Sequence, residues 1–569
     1  MKYKWLVLSN TTVATLMSAI DTNIVLISLP TIGRELPQTN ATLLLWILIG
    51  YSLLTAVVLL NFGRLSDMYG RVRLYILGFA VFTVGSLLCG FSQTGLELVG
   101  FRLVQAVGAG FLFSNSAAII TDAFPPNERG RALGINQVSI VVGAVVGLVL
   151  GGIITSTIGW RWIFFVNVPI GLVATLRARK DLKELAPPEV RPQLDWTGNL
   201  VFAGGLTSLL LGITLGALGE ASESWSIGGV LLGLALLVAF PFLERRSDHP
   251  MLDLRLFQSR VFSGSTVAIL LNALARGAFT FMLVFYLQGP PRFLSPFTAG
   301  LFLIPTSASL AILGPVSGWL SDRFGSRGFL VLGLLTSAAG FLWLTTITDH
   351  TSFLQLTPPL VLVGAGMGLF ASPNRAAMMT AVPPTRRGVA SGVGTTFVNT
   401  GSTISLGLTL LILASTLPRS LIEGIFLGTA TSGTAGHGFL DSIHLVFLVS
   451  AVLCVAALVP SILRGPPRSQ RGHPRAPPQG PGRLRPRLRV PSDSLERVLP
   501  SPVSPPSRGD PRGVSVPRSL QMALPRTRAM TRTSAKWSSM TRMYVTQPSP
   551  ARPGEFPVIT INVGDLGGT

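Results

Sequence analysis

Gly63-Arg-Leu-Ser-Asp67-Met-Tyr-Gly70-Arg71 returns 255 residues later as Gly318-Trp-Leu-Ser-Asp322-Arg-Phe-Gly325-Ser-Arg327. Thr121-Asp-Ala-Phe-Pro125-Pro126-Asn-Glu-Arg129-Gly130 returns as Thr380-Ala-Val-Pro383-Pro384-Thr-Arg-Arg387-Gly388, at nearly the same offset. Two matches at one spacing mark an internal duplication. Each copy follows an apolar stretch, so the repeated unit is a set of hydrophobic crossings joined by short polar turns.

Working outward from those turns, fourteen apolar stretches have the length of about 17 to 25 residues that spans a hydrocarbon core. In lipid the backbone must satisfy its own hydrogen bonds, and uninterrupted runs of this length do so as helices rather than as barrel strands. The expected fold is therefore all-α and integral to a membrane: fourteen transmembrane helices, forming two pseudo-symmetric six-helix bundles plus two inserted helices. The boundaries read as a first bundle over 1–178, a linker with inserted helices 7 and 8 over 179–259, a second bundle over 260–463, and a tail over 464–569. Parallel repeats of this kind are the plan of transporters whose site lies between the halves.

Composition agrees. Of the 569 residues 48% are apolar and 12% charged, half the charged share of an ordinary soluble surface, so large soluble enzymes are excluded. Cys89 and Cys454 both lie in apolar runs, which leaves no disulfide framework or thiolate metal site. The net charge of +21 is uneven: residues 464–569 hold 18 basic and 5 acidic residues, together with 19 of the 41 prolines. Such a tail buries no core and is expected to be disordered and solvated. Its stretch Arg483-Leu-Arg485-Pro-Arg487-Leu-Arg489 is suited to anionic lipid; no nucleic-acid partner is expected.

Along residues 1–463 the loops at one face carry twenty Lys and Arg against four at the other (Arg34, Arg161, Arg292 and Arg419). By the positive-inside rule both termini are expected in the cytoplasm, in a multi-pass protein of the cell membrane. The first span follows four residues and lacks a small-residue cleavage site, so it reads as retained rather than as a cleaved signal.

Several segments resemble the major facilitator superfamily, in particular its fourteen-helix drug:proton antiporters. The pattern G-x-L-x-D-R-x-G-R after the second span is met by Gly63, Leu65, Asp67, Gly70 and Arg71, with Met68 at the arginine position and the last basic residue at Arg73. The fourth span resembles R-x-x-Q-G-x-G through Arg102, Gln105 and Gly108, with Ala106 for a glycine. In the fifth, Gly143, Gly147, Gly151 and Gly152 resemble the antiporter motif, with Leu148 where that motif has proline. Asp21-Thr-Asn23, and Trp160-Arg-Trp-Ile-Phe-Phe-Val-Asn167-Val-Pro169-Ile-Gly171, resemble segments of the fourteen-helix branch. The resemblance implies export of lipophilic drugs or secondary metabolites in exchange for protons, with no cofactor beyond the proton gradient.

The residues support a mechanism in their own right. Asp21 lies about 24 Å into the first span, and Arg102 about 9 Å below the outer boundary of the fourth, so their depths match. A charge there needs a partner or a wet cavity, and each is the other's simplest partner. A carboxylate so held is ionised while paired and can take a proton when the guanidinium is withdrawn, because burial alone disfavours the ion. The pair reads as a proton-coupling device or as a static tie between the first and fourth spans.

Arg276 stands too deep in the ninth span to reach the interface and is expected to face a central cavity with Asn23 and Gln105. The repeated turns, with Gly63, Asp67, Gly70, Arg71 and Arg73 in one half and Gly318, Asp322, Arg323, Gly325 and Arg327 in the other, each combine a helix-breaking glycine, a carboxylate and arginines. They suit a latch that holds the outward-facing state. No histidine set has metal spacing and no phosphate-cradling G-x-x-x-x-G-K-[ST] is present, so no catalytic role is expected. Two alternatives stay open: a proton-coupled or facilitative importer of a polar or anionic solute, and a membrane receptor or scaffold that moves nothing.

Overall fold

The structure is a computed structural model. It describes residues 2–464 apart from 126–127, 186–194, 248–249, 251, 291, 384–386 and 429–433, and beyond them 544–545 and 561–562. Among the described residues fourteen helical spans are long and apolar enough to cross a membrane.

The first half comprises α1 (Tyr3–Glu35), α2 (Ala41–Tyr69), α3 (Arg71–Phe91), α4 (Gly95–Ala123), α5 (Arg129–Thr157) and a crossing broken at Val166 into α6 (Trp162–Phe165) and α7 (Asn167–Asp181). The inserted helices are α8 (Trp196–Leu218) and α9 (Glu223–Arg246). The second half opens on α10 (Arg260–Arg276) and α11 (Phe279–Gln288), which share one broken crossing, then α12 (Pro296–Phe324), α13 (Ser326–Leu344), α14 (Phe353–Thr380) and α15 (Arg387–Thr416). A short surface helix, α16 (Arg419–Phe426), precedes the last crossing, α17 (Thr434–Ala456) with α18 (Leu458–Leu463). By itself, β1 (Tyr544–Val545) pairs antiparallel with β2 (Ile561–Asn562); the rest of the tail expected to be disordered lies outside the described residues.

Polar residues at the loop ends set where the helices start. Asn40, Thr94, Ser222, Ser295 and Ser352 each accept a backbone N–H of the following first turn, and Ser352 forms a capping box with Gln355. The repeated turns have a different geometry from the one expected. Gly63 and Gly318 lie inside α2 and α12 and break nothing, as glycine in a packed membrane helix need not. Each helix pair is divided instead by one residue, Gly70 at φ 101° and Gly325 at φ 84°, a backbone conformation that side chains oppose. A Cβ on Gly325 would meet nothing within 4 Å. Gly325→Ala is therefore expected to lower stability by about 1–3 kcal/mol from backbone strain alone, read as a lower melting temperature in detergent. Gly70→Ala should cost more, because its Cβ would lie 2.8 Å from Glu184 Oε2, and that carboxylate caps α3.

The glycine stripe of α5 brings it against α1. Cβ atoms on Gly143 and Gly147 would lie 2.8 Å from the Leu16 carbonyl oxygen and 2.7 Å from that of Ile20, and Gly151 faces Ile24 and Ile27. Gly152 turns to the other half instead, against Pro296 and Phe297 of α12, and Gly300 of α12 faces the carbonyl of Leu148. The two halves thus cross closely at the face opposite the arginine-rich loops.

Core packing follows the same division. One buried cluster mixes the two halves at that far face: Ile24, Ile27, Leu44 and Ile47 pack with Phe281, Phe285, Leu410 and Phe426. Nearer the arginine-rich face each half has a core of its own, one around Tyr75, Phe79 and Phe82, the other around Phe262, Leu330 and Met378. Gly63, Gly134 and Gly314, on the inner lengths of α2, α5 and α12, have open space where a Cβ would stand. The halves are closed at the far face and apart at the arginine-rich face. The inserted helix α8 bridges the seam: Trp46 Nε1 of α2 donates to Thr214 Oγ1 at 3.2 Å, and Gly407 of α15 faces Leu210 and Ile213.

A buried ion pair as the candidate functional site

Asp21 and Arg102 are both 0% exposed. Arg102 Nη1 donates to Asp21 Oδ2 at 2.6 Å, and the other carboxylate oxygen accepts from Gln105 Nε2 at 2.8 Å and Asn167 Nδ2 at 3.0 Å. Arg102 and Gln105 are three apart on α4 and share a face; Arg102 Nη1 also donates to Gln105 Oε1 at 2.6 Å. The guanidinium lies 4.1 Å over the Tyr51 ring of α2, and its Nε donates to the Ile47 carbonyl at 3.4 Å. Ser86 of α3 accepts from Asn167 at 3.3 Å and so orients the amide. One carboxylate, one guanidinium and two amides form a neutral cluster sealed from the surface. Removing either charge from such a pair leaves the other uncompensated, at a cost of about 3–5 kcal/mol.

Every member belongs to the first half: α1, α2, α3, α4 and the start of α7. The mixed apolar cluster, whose Ile20, Ile24 and Ile47 flank these charges and whose other wall is the second half, forms the low-dielectric cover over the pair.

The expected cavity residues divide. Gln105 is fully buried in the ion-pair cluster rather than facing a cavity, which corrects its assignment as a cavity residue: its face of α4 turns to Asp21. Asn23 is half-buried, donates to the Ala19 carbonyl at 2.8 Å and packs on Gly147, apart from the pair. Arg276 lies at the end of α10 in the other half. Asn167 and Tyr51 escaped sequence reading as site residues; the available signal was a polar group retained inside an apolar span.

At the arginine-rich face, Arg71 Nη1 donates to both oxygens of Asp122 at 2.8 Å, while its N–H and that of Val72 donate to Glu184 at 3.0 Å. In the second half Arg464 Nη2 donates to Ser326 Oγ at 2.9 Å, and its Nη1 to Ser265 Oγ at 3.1 Å and Asn374 Oδ1 at 3.4 Å. Each half thus returns the residue after its sixth crossing to the turn after its second, by a carboxylate in one case and a guanidinium in the other. Arg464, read as the first residue of the tail, is docked and 4% exposed. Arg64 Nη2 donates to the Pro250 carbonyl at 2.6 Å, and Arg323 stacks 4.2 Å over Trp319. Arg73 and Arg327 are exposed; the side chains of Asp67 and Asp322 lie outside the described residues.

Two duplicated helical halves, closed at one face and apart at the other around a buried charge pair, define a secondary transporter. The chain belongs to the Major Facilitator Superfamily, which it matches over residues 11–198 and 265–505; the interval between those blocks holds nearly all of α8 and all of α9. The riboflavin transporter RibZ of Clostridioides difficile (strain 630) is 32% identical over 424 residues, covering 74% of this chain and 90% of the relative. Multidrug resistance protein Stp of Mycobacterium tuberculosis (strain CDC 1551 / Oshkosh) is 32% identical over 412 residues, 71% of this chain and 75% of the relative. Multidrug resistance protein 3 of Bacillus subtilis (strain 168) is 28% identical over 435 residues, 75% of this chain and 82% of the relative. Among solved structures, an auto-inhibited POT family peptide transporter superposes with a TM-score of 0.59 at 19% identity, covering 81% of this chain and 96% of that one. The chain is a multi-pass membrane transporter and not an enzyme.

Proposed function

We propose that the protein exports lipophilic small molecules, drugs or secondary metabolites, from the cytoplasm in exchange for protons. The arginine-rich face with both termini lies in the cytoplasm, so the arrangement described is inward-facing and loads substrate from within. The observation that carries the reading is the sealed Asp21–Arg102 pair beneath a far-face seam that joins the halves. When the seam opens, protons reach the pair from the far side, and a shift of Arg102 away from Asp21 leaves the carboxylate among apolar side chains without its counter-charge, where it takes a proton. Closure brings Arg102 back, and re-pairing expels the proton inward. The arginine clusters at 63–73 and 318–327 act as latches when the inner ends meet. Relatives named for multidrug resistance support the substrate class, and a relative named a riboflavin transporter extends it to a polar aromatic compound.

Inside-out vesicles test this. Adding a transported drug should drive substrate inward and release protons from the lumen; accumulation of the same compound by intact cells would point to import instead. Deleting 465–569, which keeps the docked Arg464, is expected to leave flux unchanged. Loss of signalling with intact flux, or loss of flux from that deletion alone, would favour a receptor or scaffold built around the tail.

A further inference from the structure

We infer that the second half of the cavity selects anionic substrates, with Arg276 as the anchoring cation; the inference rests on the export reading and names its substrate class. Arg276 ends α10 where the crossing is interrupted at Gly277 and Ala278. The interruption is fixed from α15: a Cβ on Gly277 would lie 2.6 Å from Ser402 Cα, and Ser405 Oγ accepts from the Ala278 N–H at 3.1 Å.

Helical register then sets where Arg276 points. On α10, Ile269 approaches Gly394 of α15, and the Ser265 carbonyl accepts from Asn374 of α14 at 3.0 Å. Arg276 is seven residues past Ile269 and eleven past Ser265, spacings that return to nearly the same face of a helix with 3.6 residues per turn. Its stem therefore leaves α10 toward the space flanked by α14 and α15. Arg375 of α14 converges on that space. Gly366 packs on Ser337 of α13, and nine residues, two and a half turns, put Arg375 on the opposite side. Both residues are half-buried.

Charge balance makes this a site. Among the described residues Arg276 forms no hydrogen bond or ion pair. No Asp or Glu occurs in α10, α11, α13, α14 or α15. Among the described residues of the first half, the carboxylate buried in the membrane core, Asp21, is neutralised by Arg102. A guanidinium held inside a membrane span without a counter-charge needs a wet cavity or a visiting anion. A cavity so lined has a positive potential that attracts a carboxylate, phenolate or phosphate group and repels a lipophilic cation.

Fluorescein and rhodamine 123 share a xanthene core and differ in charge, so they test the inference. Inside-out vesicles carrying the intact chain are expected to accumulate fluorescein and to leave rhodamine 123 outside. In nanodiscs the purified protein should bind fluorescein by anisotropy, with binding weakened about tenfold or more in Arg276→Gln, the scale of one charge-assisted hydrogen bond, and partly kept in Arg276→Lys. Arg276-dependent binding without flux in any vesicle would support the site while refuting export. Proton-coupled transport of rhodamine 123 with no fluorescein binding overturns the inference and leaves export standing. Equal loss of both dyes in Arg276→Gln, with a lowered melting temperature, would make Arg276 a structural cap of the broken helix and also overturn it.

Discussion

Asp21→Asn is expected to abolish substrate-driven proton release from inside-out vesicles, because an amide of the same shape can keep contacts with Gln105 and Asn167 but cannot exchange a proton. The variant should also unfold more easily. Arg102 would be left 0% exposed with no counter-charge, at a cost of about 3–5 kcal/mol. That loss of stability alone would not separate coupling from a static tie between α1 and α4. The double variant Asp21→Asn with Arg102→Gln does separate them, since it removes both charges and should recover most of the lost stability. A static tie predicts that flux and proton release recover with it. Coupling predicts a stable protein in which proton release stays absent, and recovery of proton release in the double variant would refute the proposed role of Asp21.

Gly300→Val is expected to bias the transporter away from its inward-facing state. A Cβ on Gly300 would lie 2.7 Å from the Leu148 carbonyl oxygen, and one on Gly152 2.7 Å from Phe297 Cα, both contacts between the halves. Overpacking of this kind costs about 1–3 kcal/mol, and because the halves part at this face when the far side opens, only the inward-facing state bears it. A penalty of about 2 kcal/mol shifts the balance of states roughly thirtyfold. Spin labels placed across the far face should lengthen their distance distribution, with transport lost and folding kept. Gly147→Val is the control, since its clash is with the Ile20 carbonyl in the same half. It should lower the melting temperature without moving the labels. Unchanged distances in Gly300→Val would mean that the α5–α12 crossing does not distinguish the states.

The parts of this architecture that lipid enforces could be read from the chain. Fourteen apolar runs and the asymmetry of the arginine loops follow from backbone hydrogen bonding and charge in a bilayer, and the duplication shows as a motif repeated at residues 63 and 318. The proximity of Asp21 and Arg102 was legible for the same reason: two charges at one depth have few alternatives. Polar neutral groups carry no such compulsion. Asn167 and Tyr51 are cheap enough to bury almost anywhere, and Gln105 was sent to the cavity because spacing along α4 gives a face but not its neighbour. Glu184 drew no attention in a basic loop and Arg464 was read as the first residue of the tail, and nothing in their sequence surroundings announced that they fold back onto the turns at Arg71 and Ser326. Gly63 and Gly318 looked like breaks because glycine breaks helices in water, yet both sit within continuous helix, and the turn falls to Gly70 and Gly325.

The position of α8 has a consequence for how cargo enters. A transporter of two rocking halves has a slit on each flank, through which compounds dissolved in the inner leaflet can slip sideways. With Trp46 held by Thr214 and Gly407 laid against Leu210, α8 plugs the flank between α2 and α15. Among the described residues the flank between α5 and α12 has no such plug, and the inner lengths of those helices, at Gly134 and Gly314, stand clear. A greasy solute that enters sideways is therefore expected to pass between α5 and α12 rather than beside α8.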